Sequence, residues 1–219
     1  MTDICPYGPD YQVYWDMRYQ LFSRFDQTKV DRVGLYTMIA EHFATDLAKK
    51  ATGQTSIDAC SGMGAMSIAL AREGQRVIAI ERDEQRVSMA RHNAAVYEVA
   101  DQIDFRVGDI TSDEVIDALP ADNHTLFIDP PWGSGPGDYL RRPTTYLEHL
   151  SLGGVDMRWL VSRVPCRELM IRFPPNFDVD IFIDTPGEKI AIVNDAGFLH
   201  WYFLRTSPEA FAAVPDRSR

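Results

Sequence analysis

The residues Asp129-Pro130-Pro131-Trp132 place four complementary chemistries next to one another. The Asp129 carboxylate and the Pro130 backbone carbonyl can both accept from an NH2 group, which turns the nitrogen lone pair away from them. The two prolines stiffen the loop, so little order need be gained on binding. The indole of Trp132 offers a π-face on which a flat, amine-bearing ring can stack, worth about 0.5–2 kcal/mol where the ring is cationic. Asp129, Pro130 and Pro131 are therefore the expected catalytic set, with Trp132 and Tyr139 of the following loop as the expected substrate contacts.

A second group of residues suits a nucleoside. In Asp58-Ala-Cys60-Ser-Gly62-Met-Gly64 the glycines let backbone N–H groups approach a ligand at the start of a helix. A dinucleotide site wants G-x-G-x-x-G or A; here the sixth residue is Ser67, and Asp58 stands ahead of the glycines. A carboxylate there opposes a pyrophosphate but can accept from an ammonium. S-adenosylmethionine carries an ammonium and no phosphate, and it is the expected cofactor, with S-adenosylhomocysteine as product. Glu81, beside Arg82, follows a second apolar run at the spacing that lets a carboxylate bridge two ribose hydroxyls. Asp109 is placed to take an adenine amino group, and Ile110 to pack on the ring. Cys60, Gly62, Gly64 and Arg82 are counted with the cofactor site, as is Asp129. The expected chemistry is direct in-line transfer from sulfur to nitrogen, in which the protein supplies alignment and desolvation. No metal is expected, and the five scattered histidines suggest no catalytic relay.

These residues need strand ends to hold them. From Ser56 onward short apolar runs alternate with amphipathic stretches, the pattern of βα units on a mostly parallel sheet. The spacing predicts strands over Ser56–Cys60, Arg76–Ile80, Ile103–Val107, Thr125–Asp129, Cys166–Phe173, Lys189–Val193 and Leu199–Leu204. Helices are predicted over Gly64–Arg72, Asp83–Val96, Ser112–Leu119 and Asp156–Val164. Only residues 194–198 separate the last two strands, too few for a parallel crossover, so an antiparallel hairpin is expected. The result is an α/β, Rossmann-like sheet of the methyltransferase kind over residues 53–219. Before it, Asp10–Phe25 and Met38–Lys50 carry apolar residues at helical spacing and predict a small helical lid over residues 1–52.

The chain has 219 residues, 45% hydrophobic and 25% charged, as in a globular protein with an ample core. No stretch approaches the roughly 20 apolar residues of a membrane span, and the first ten residues do not read as a secretory signal. The cytoplasm is the expected compartment, and no membrane partner is expected. Cys5, Cys60 and Cys166 are odd in number and far apart, which argues for reduced thiols. With 22 basic residues against 32 acidic, the net charge of −10 opposes a polyphosphate partner, so long nucleic acid is disfavoured on this ground.

The sequence resembles the trimethylguanosine synthase (RNA cap guanine-N2 methyltransferase) family over roughly residues 11 to 205. The resemblance rests on Tyr14-Trp15-x-x-Arg18-Tyr19-x-Leu21-Phe22-Ser23-Arg24-Phe25-Asp26, Asp58-Ala-x-x-Gly62-x-Gly64, Ala90-Arg-x-Asn93-Ala-x-Val-Tyr97 and Pro130-Pro-Trp-Gly133. It implies that Phe22 helps cover the cofactor, that Asp58, Glu81 and Asp109 hold it, and that Trp132 stacks on the base. Val13 and Pro175 stand where the family places a lysine and an arginine on the cap triphosphate, and Asp129 where its eukaryotic members tend to have serine. The Trp132 loop also looks longer. These departures favour a small planar amine or heterocycle as acceptor, with guanine N2 in a cap nucleotide or RNA as the alternative and a non-catalytic cofactor-binding protein as a third reading.

Overall fold

The computed structural model describes residues 3–121, 124–133, 135–150, 152–193 and 199–215. The chain divides into two compact units, Met1–Asp109 and Ile110–Arg219.

The first unit contains α1 (Gln12–Asp16), α2 (Arg18–Leu21), α3 (Arg32–Thr37), α4 (Glu41–Ala48), β1 (Thr55–Asp58), α5 (Ala65–Arg72), β2 (Arg76–Glu81), α6 (Glu84–Val96) and β3 (Ile103–Val107). The three strands pair in parallel, β2 in the centre. Each helix starts where local chemistry allows. Asp83 accepts from the N–H groups of Gln85 and Arg86 to open α6, and Asp31 accepts from Gly34 to open α3.

The single helix expected over Asp10–Phe25 is instead two short ones, α1 and α2, interrupted at Met17, which lies at φ −91°, ψ 3°. The reason is Arg18. Its guanidinium donates to the Trp15 carbonyl at 2.8 Å and lies 4.6 Å from the rings of both Trp15 and Tyr19. The aromatic periodicity thus serves an arginine-centred cluster rather than one continuous helical face. The helix expected over Met38–Lys50 is the shorter α4, and α3 ahead of it was hidden by its internal glycine. Gly34 is there for space: a Cβ would come 2.7 Å from Met63 Cγ.

The second unit contains α7 (Asp113–Asp117), β4 (Thr125–Ile128), α8 (Met157–Arg163), β5 (Glu168–Phe173), β6 (Glu188–Val193), β7 (Leu199–Thr206) and α9 (Pro208–Ala212). Every residue of β4 and β5 is buried, as expected for parallel strands covered on both faces. β4 pairs with β5 in parallel, while β7 lies antiparallel between β5 and β6. The last two strands therefore pair as the short spacing required, although residues 194–198 of their connection fall outside the described residues. Ser112, Asp156 and Ser207 cap the helices that follow them. Hydrogen-bonded neighbours thus run β3-β2-β1 in the first unit and β4-β5-β7-β6 in the second, mostly parallel with β7 reversed. No helix among the described residues is long and apolar enough to cross a membrane.

Candidate functional site

In the first unit the expected cofactor residues gather at the carboxyl ends of the strands. Asp58 ends β1, is buried, and accepts from Ser67 Oγ of α5 at 2.6 Å. The loop after it turns through Gly62 at φ 50° and Gly64 at φ 87°, both left-handed. Gly64 also faces a space limit, because a Cβ would sit 3.2 Å from Ala90 of α6. Gly62 borders open space, with nothing within 4 Å of a built Cβ. The Ser61 hydroxyl is buried and has no hydrogen-bond partner among the described residues. Glu81, at the end of β2, accepts from Gly62 N–H at 3.1 Å and from Asp83 N–H at 3.0 Å, so the carboxylate joins the glycine loop to its own turn. Cys60 is half-buried, Arg82 is exposed, and Asp109 is exposed two residues after β3. The Glu81 carbonyl accepts from Gly108 N–H at 3.0 Å, which fixes the turn leading to Asp109.

Phe22 is buried, with its ring 5.6 Å from that of Tyr97. The segment around it is fastened by Glu41, which accepts from Ser23 N–H at 2.5 Å and Tyr97 Oη at 2.8 Å and pairs with Arg72 at 2.8 Å. These three donors hold the Glu41 carboxyl below its ordinary range against the opposing, and largest, effect of burial.

Sequence reasoning did not assign Asn93 a role, although it lies within the resemblance. It is wholly buried on α6. Its amide donates to the carbonyls of Met63 and Lys29 at 3.0 and 2.9 Å and accepts from Lys29 N–H at 2.7 Å. One side chain thus pins the glycine loop and the segment entering α3. An isolated polar residue at a core-facing position of α6 was the available signal.

The expected acceptor residues lie in the second unit, as does Ile110, which is buried. Asp129 follows β4 directly, then Pro130, buried, and Pro131, exposed. The Asp129 carboxylate is ion-paired with Arg172 of β5 at 3.0 Å, with the arginine side chain 6% and the aspartate 18% exposed. Burial pushes the Asp129 carboxyl up to about 6, and the guanidinium beside it limits the rise. Burial likewise lowers Arg172, with Asp129 opposing. The guanidinium also lies 4.6 Å from the Trp132 ring and 5.7 Å from that of Trp201. Tyr139 meets Trp132 edge-on at 5.7 Å. Arg172 is therefore the centre of this cluster, and sequence reasoning missed it. The signal was a single cation in Leu-Met-Ile-Arg-Phe, an otherwise apolar run at the end of a buried strand.

The arrangement can hold a planar ring against Trp132 and present a carboxylate of fixed orientation to an amine. The fold places this chemistry in known company. A solved structure described as a "putative methyltransferase" from Porphyromonas gingivalis W83 superposes with a TM-score of 0.67 at 16% identity, over 93% of this chain and 52% of that one. The sheet is that of class I methyltransferases. Trimethylguanosine synthase of Schizosaccharomyces pombe is 36% identical over 61% of this chain and 58% of its own length. The 23S rRNA (uracil(1939)-C(5))-methyltransferase RlmD of Acidithiobacillus ferrooxidans is 32% identical over 60% of this chain and 30% of its own length. The chain thus spans little more than half of the first of these relatives and less than a third of the second. Their names overturn the expectation of a small-molecule acceptor with long nucleic acid disfavoured. That expectation rested on net charge, a sum over the whole chain that ignores where individual basic residues sit, and on departures such as Val13 and Pro175, which remove two cations without excluding others elsewhere on the chain. The model of RNA cap guanine-N2 methyltransferases matches residues 53–185, and the chain belongs to that family.

Proposed function

We propose that this protein is an S-adenosylmethionine-dependent methyltransferase that acts on the exocyclic amine, N2, of a guanine in RNA or an RNA cap. The observation that carries the reading is the Asp129-Pro130-Pro131-Trp132 loop at the end of β4, with its carboxylate held by Arg172. Family membership supports it.

Asp58, Cys60, Gly62, Gly64, Glu81, Arg82, Asp109 and Ile110 would hold the cofactor, with Phe22 helping to cover it and residues 1–52 forming a lid. The open space beside Gly62 and the unpartnered Ser61 hydroxyl suit a polar ligand at this loop. When bound, S-adenosylmethionine supplies an electrophilic sulfonium methyl. Asp129 and the Pro130 carbonyl accept from the two amine hydrogens and so aim the nitrogen lone pair. Arg172 keeps the carboxylate ionised and in register, which matters because a protonated Asp129 loses acceptor capacity. Trp132 stacks on the base and excludes water from its face. Alignment and desolvation of this kind lower the barrier without a covalent intermediate on the protein. After transfer the ammonium proton passes to Asp129 or to water.

The test is transfer of labelled methyl to capped and uncapped guanine-containing RNA, followed by digestion to nucleosides. Label in N2-methylguanosine is the expected result. Label on a uracil carbon would reject the amine reading, and binding of S-adenosylhomocysteine without any transfer would reject an enzymatic one.

A further inference from the structure

The loop beyond Trp132 carries positive charge that the reading above does not use. Asp138–Arg141 forms a single 3-10 turn, begun at Gly137 with φ 69°. Tyr139 of this turn is the ring that meets Trp132. Arg141 is 82% exposed, and Arg142 beside it is exposed as well. Arg141 pairs with Asp138 at 3.2 Å through Nε, which leaves its two terminal nitrogens for another acceptor.

These arginines do not sit on a loose tether. Asn176, three residues beyond β5, donates through Nδ2 to the carbonyls of both Tyr139 and Arg142, at 2.9 and 3.0 Å. Asn176 is itself held: its Oδ1 accepts from Thr145 Oγ1 at 3.0 Å and its carbonyl from Thr145 N–H at 2.8 Å. At the other end of the loop, Gly133 lies so close to Asp138 that a Cβ would come 2.4 Å from the aspartate Cβ. Asn176 holds the turn at both Tyr139 and Arg142, beside the indole that would take the base. A chain of net charge −10 needs local cations to hold a polyanion, and a guanidinium fork matches phosphate geometry.

We propose that Arg141 and Arg142 form a phosphate-binding site beside the Trp132–Tyr139 platform, taking phosphate attached to the nucleotide whose base stacks there. The proposal rests on the reading of the acceptor as a guanine nucleotide. The phosphate can belong to a mononucleotide or to an RNA backbone, and the two are separable by experiment.

The experiment measures anisotropy of a labelled, guanine-containing single-stranded oligoribonucleotide on the full chain over a range of salt, together with KM for guanosine, GMP and the oligoribonucleotide. The variants are Arg141→Ala/Arg142→Ala and the charge-keeping Arg141→Lys/Arg142→Lys. S-adenosylhomocysteine binding serves as the check that each variant is folded. Loss of two phosphate contacts should weaken RNA binding at low salt by about tenfold or more and flatten the log–log salt slope by roughly 1.4, at about 0.7 per single-strand phosphate. The lysine pair should recover most of the slope. Equal loss on GMP and on the oligoribonucleotide assigns the site to the acceptor nucleotide's own phosphate. Loss on the oligoribonucleotide alone assigns it to the RNA backbone. The proposal is overturned if wild type and the alanine pair share one affinity and one salt slope, if guanosine suffers as much as RNA, or if the wild-type chain binds neither nucleotide nor RNA. The acceptor reading fails separately: steep, arginine-dependent RNA binding without methyl transfer to guanine would leave the phosphate site standing and remove the proposed activity.

Discussion

The two units hold their chemical groups by different means. In the first, the glycine loop is fixed by backbone donors and helix starts: Glu81 accepts from Gly62 N–H, Asp58 from Ser67 at the start of α5, and Asn93 bridges Met63 and Lys29. In the second, Asp129 and Trp132 depend on one buried cation from another strand, and the following turn depends on Asn176. The first scheme draws on backbone, hydroxyl and amide donors, none of them a cation. The second places an ionised pair where water is scarce, so its strength changes with protonation. Rigid cradling suits a ligand that is the same in every turnover, whereas a tunable carboxylate suits the reacting partner.

The sharpest way to break the comparison is Asp129→Ala. It removes the proposed hydrogen-bond acceptor for the amine and breaks the ion pair of the buried Arg172. Losing one group aimed at the reacting centre lowers turnover by about a hundred- to a thousandfold in comparable sites. Breaking the ion pair should also destabilise the fold, by up to about 3–5 kcal/mol where such a pair is fully buried. Cofactor affinity should survive in the fraction that folds. Calorimetry with S-adenosylhomocysteine alongside the transfer assay checks this, and equal loss of both would place Asp129 on the cofactor instead.

The contrast between the units also explains what could be read from sequence. β3 was legible residue for residue, and the other strands to within two residues at either end, because β4 and β5 write themselves as apolar runs between turn signals while β3 alternates apolar with charged residues. Asp58, the glycines and Glu81 announced themselves through local order along the chain. Arg172 did not, since 43 residues separate it from Asp129 and pairing across strands leaves no local spacing to find. Asn176, 37 residues from Tyr139, was invisible for the same reason. The N-terminal segment misled in the opposite sense. Its aromatic spacing satisfied a helical template, but Arg18 organised those rings into a cluster and ended α1 early.

Asn93→Ala should sharpen the comparison from the first unit. The change deletes three hydrogen bonds of a buried amide and leaves the groups on Lys29 and Met63 without partners. At about 1 kcal/mol per bond the loss is about 3 kcal/mol, read by denaturant unfolding. Because the amide fastens the glycine loop, cofactor affinity should fall as well, and a variant that lost stability while binding S-adenosylhomocysteine normally would show that the loop holds itself. Gly64→Ala tests the same loop more gently. A side chain at φ 87° costs about 1–2 kcal/mol, and its Cβ would press on Ala90. Weakened cofactor binding without a change in acceptor KM is the expected pattern.

Arg172→Met is the smallest change at the pH optimum and the most telling away from it. Burial already raises Asp129 to about 6, and Arg172 is the group that opposes the rise. Wild-type activity should therefore fall on the acid side through an apparent pKa near 6, as the carboxylate takes a proton and ceases to accept. Without the guanidinium the limb should move to higher pH, so turnover drops at neutrality and recovers in mild alkali. Stability should run the other way. A carboxyl whose folded pKa lies above its unfolded value, about 3.9 for aspartate, is best tolerated when protonated, so its contribution is fully present below the unfolded pKa and is lost as pH rises through the folded one. The variant should thus be most stable where it is least active. Paired pH profiles of turnover and of unfolding free energy check this, and a limb that stayed near 6 would show that Arg172 holds Trp132 in place without governing the charge on Asp129.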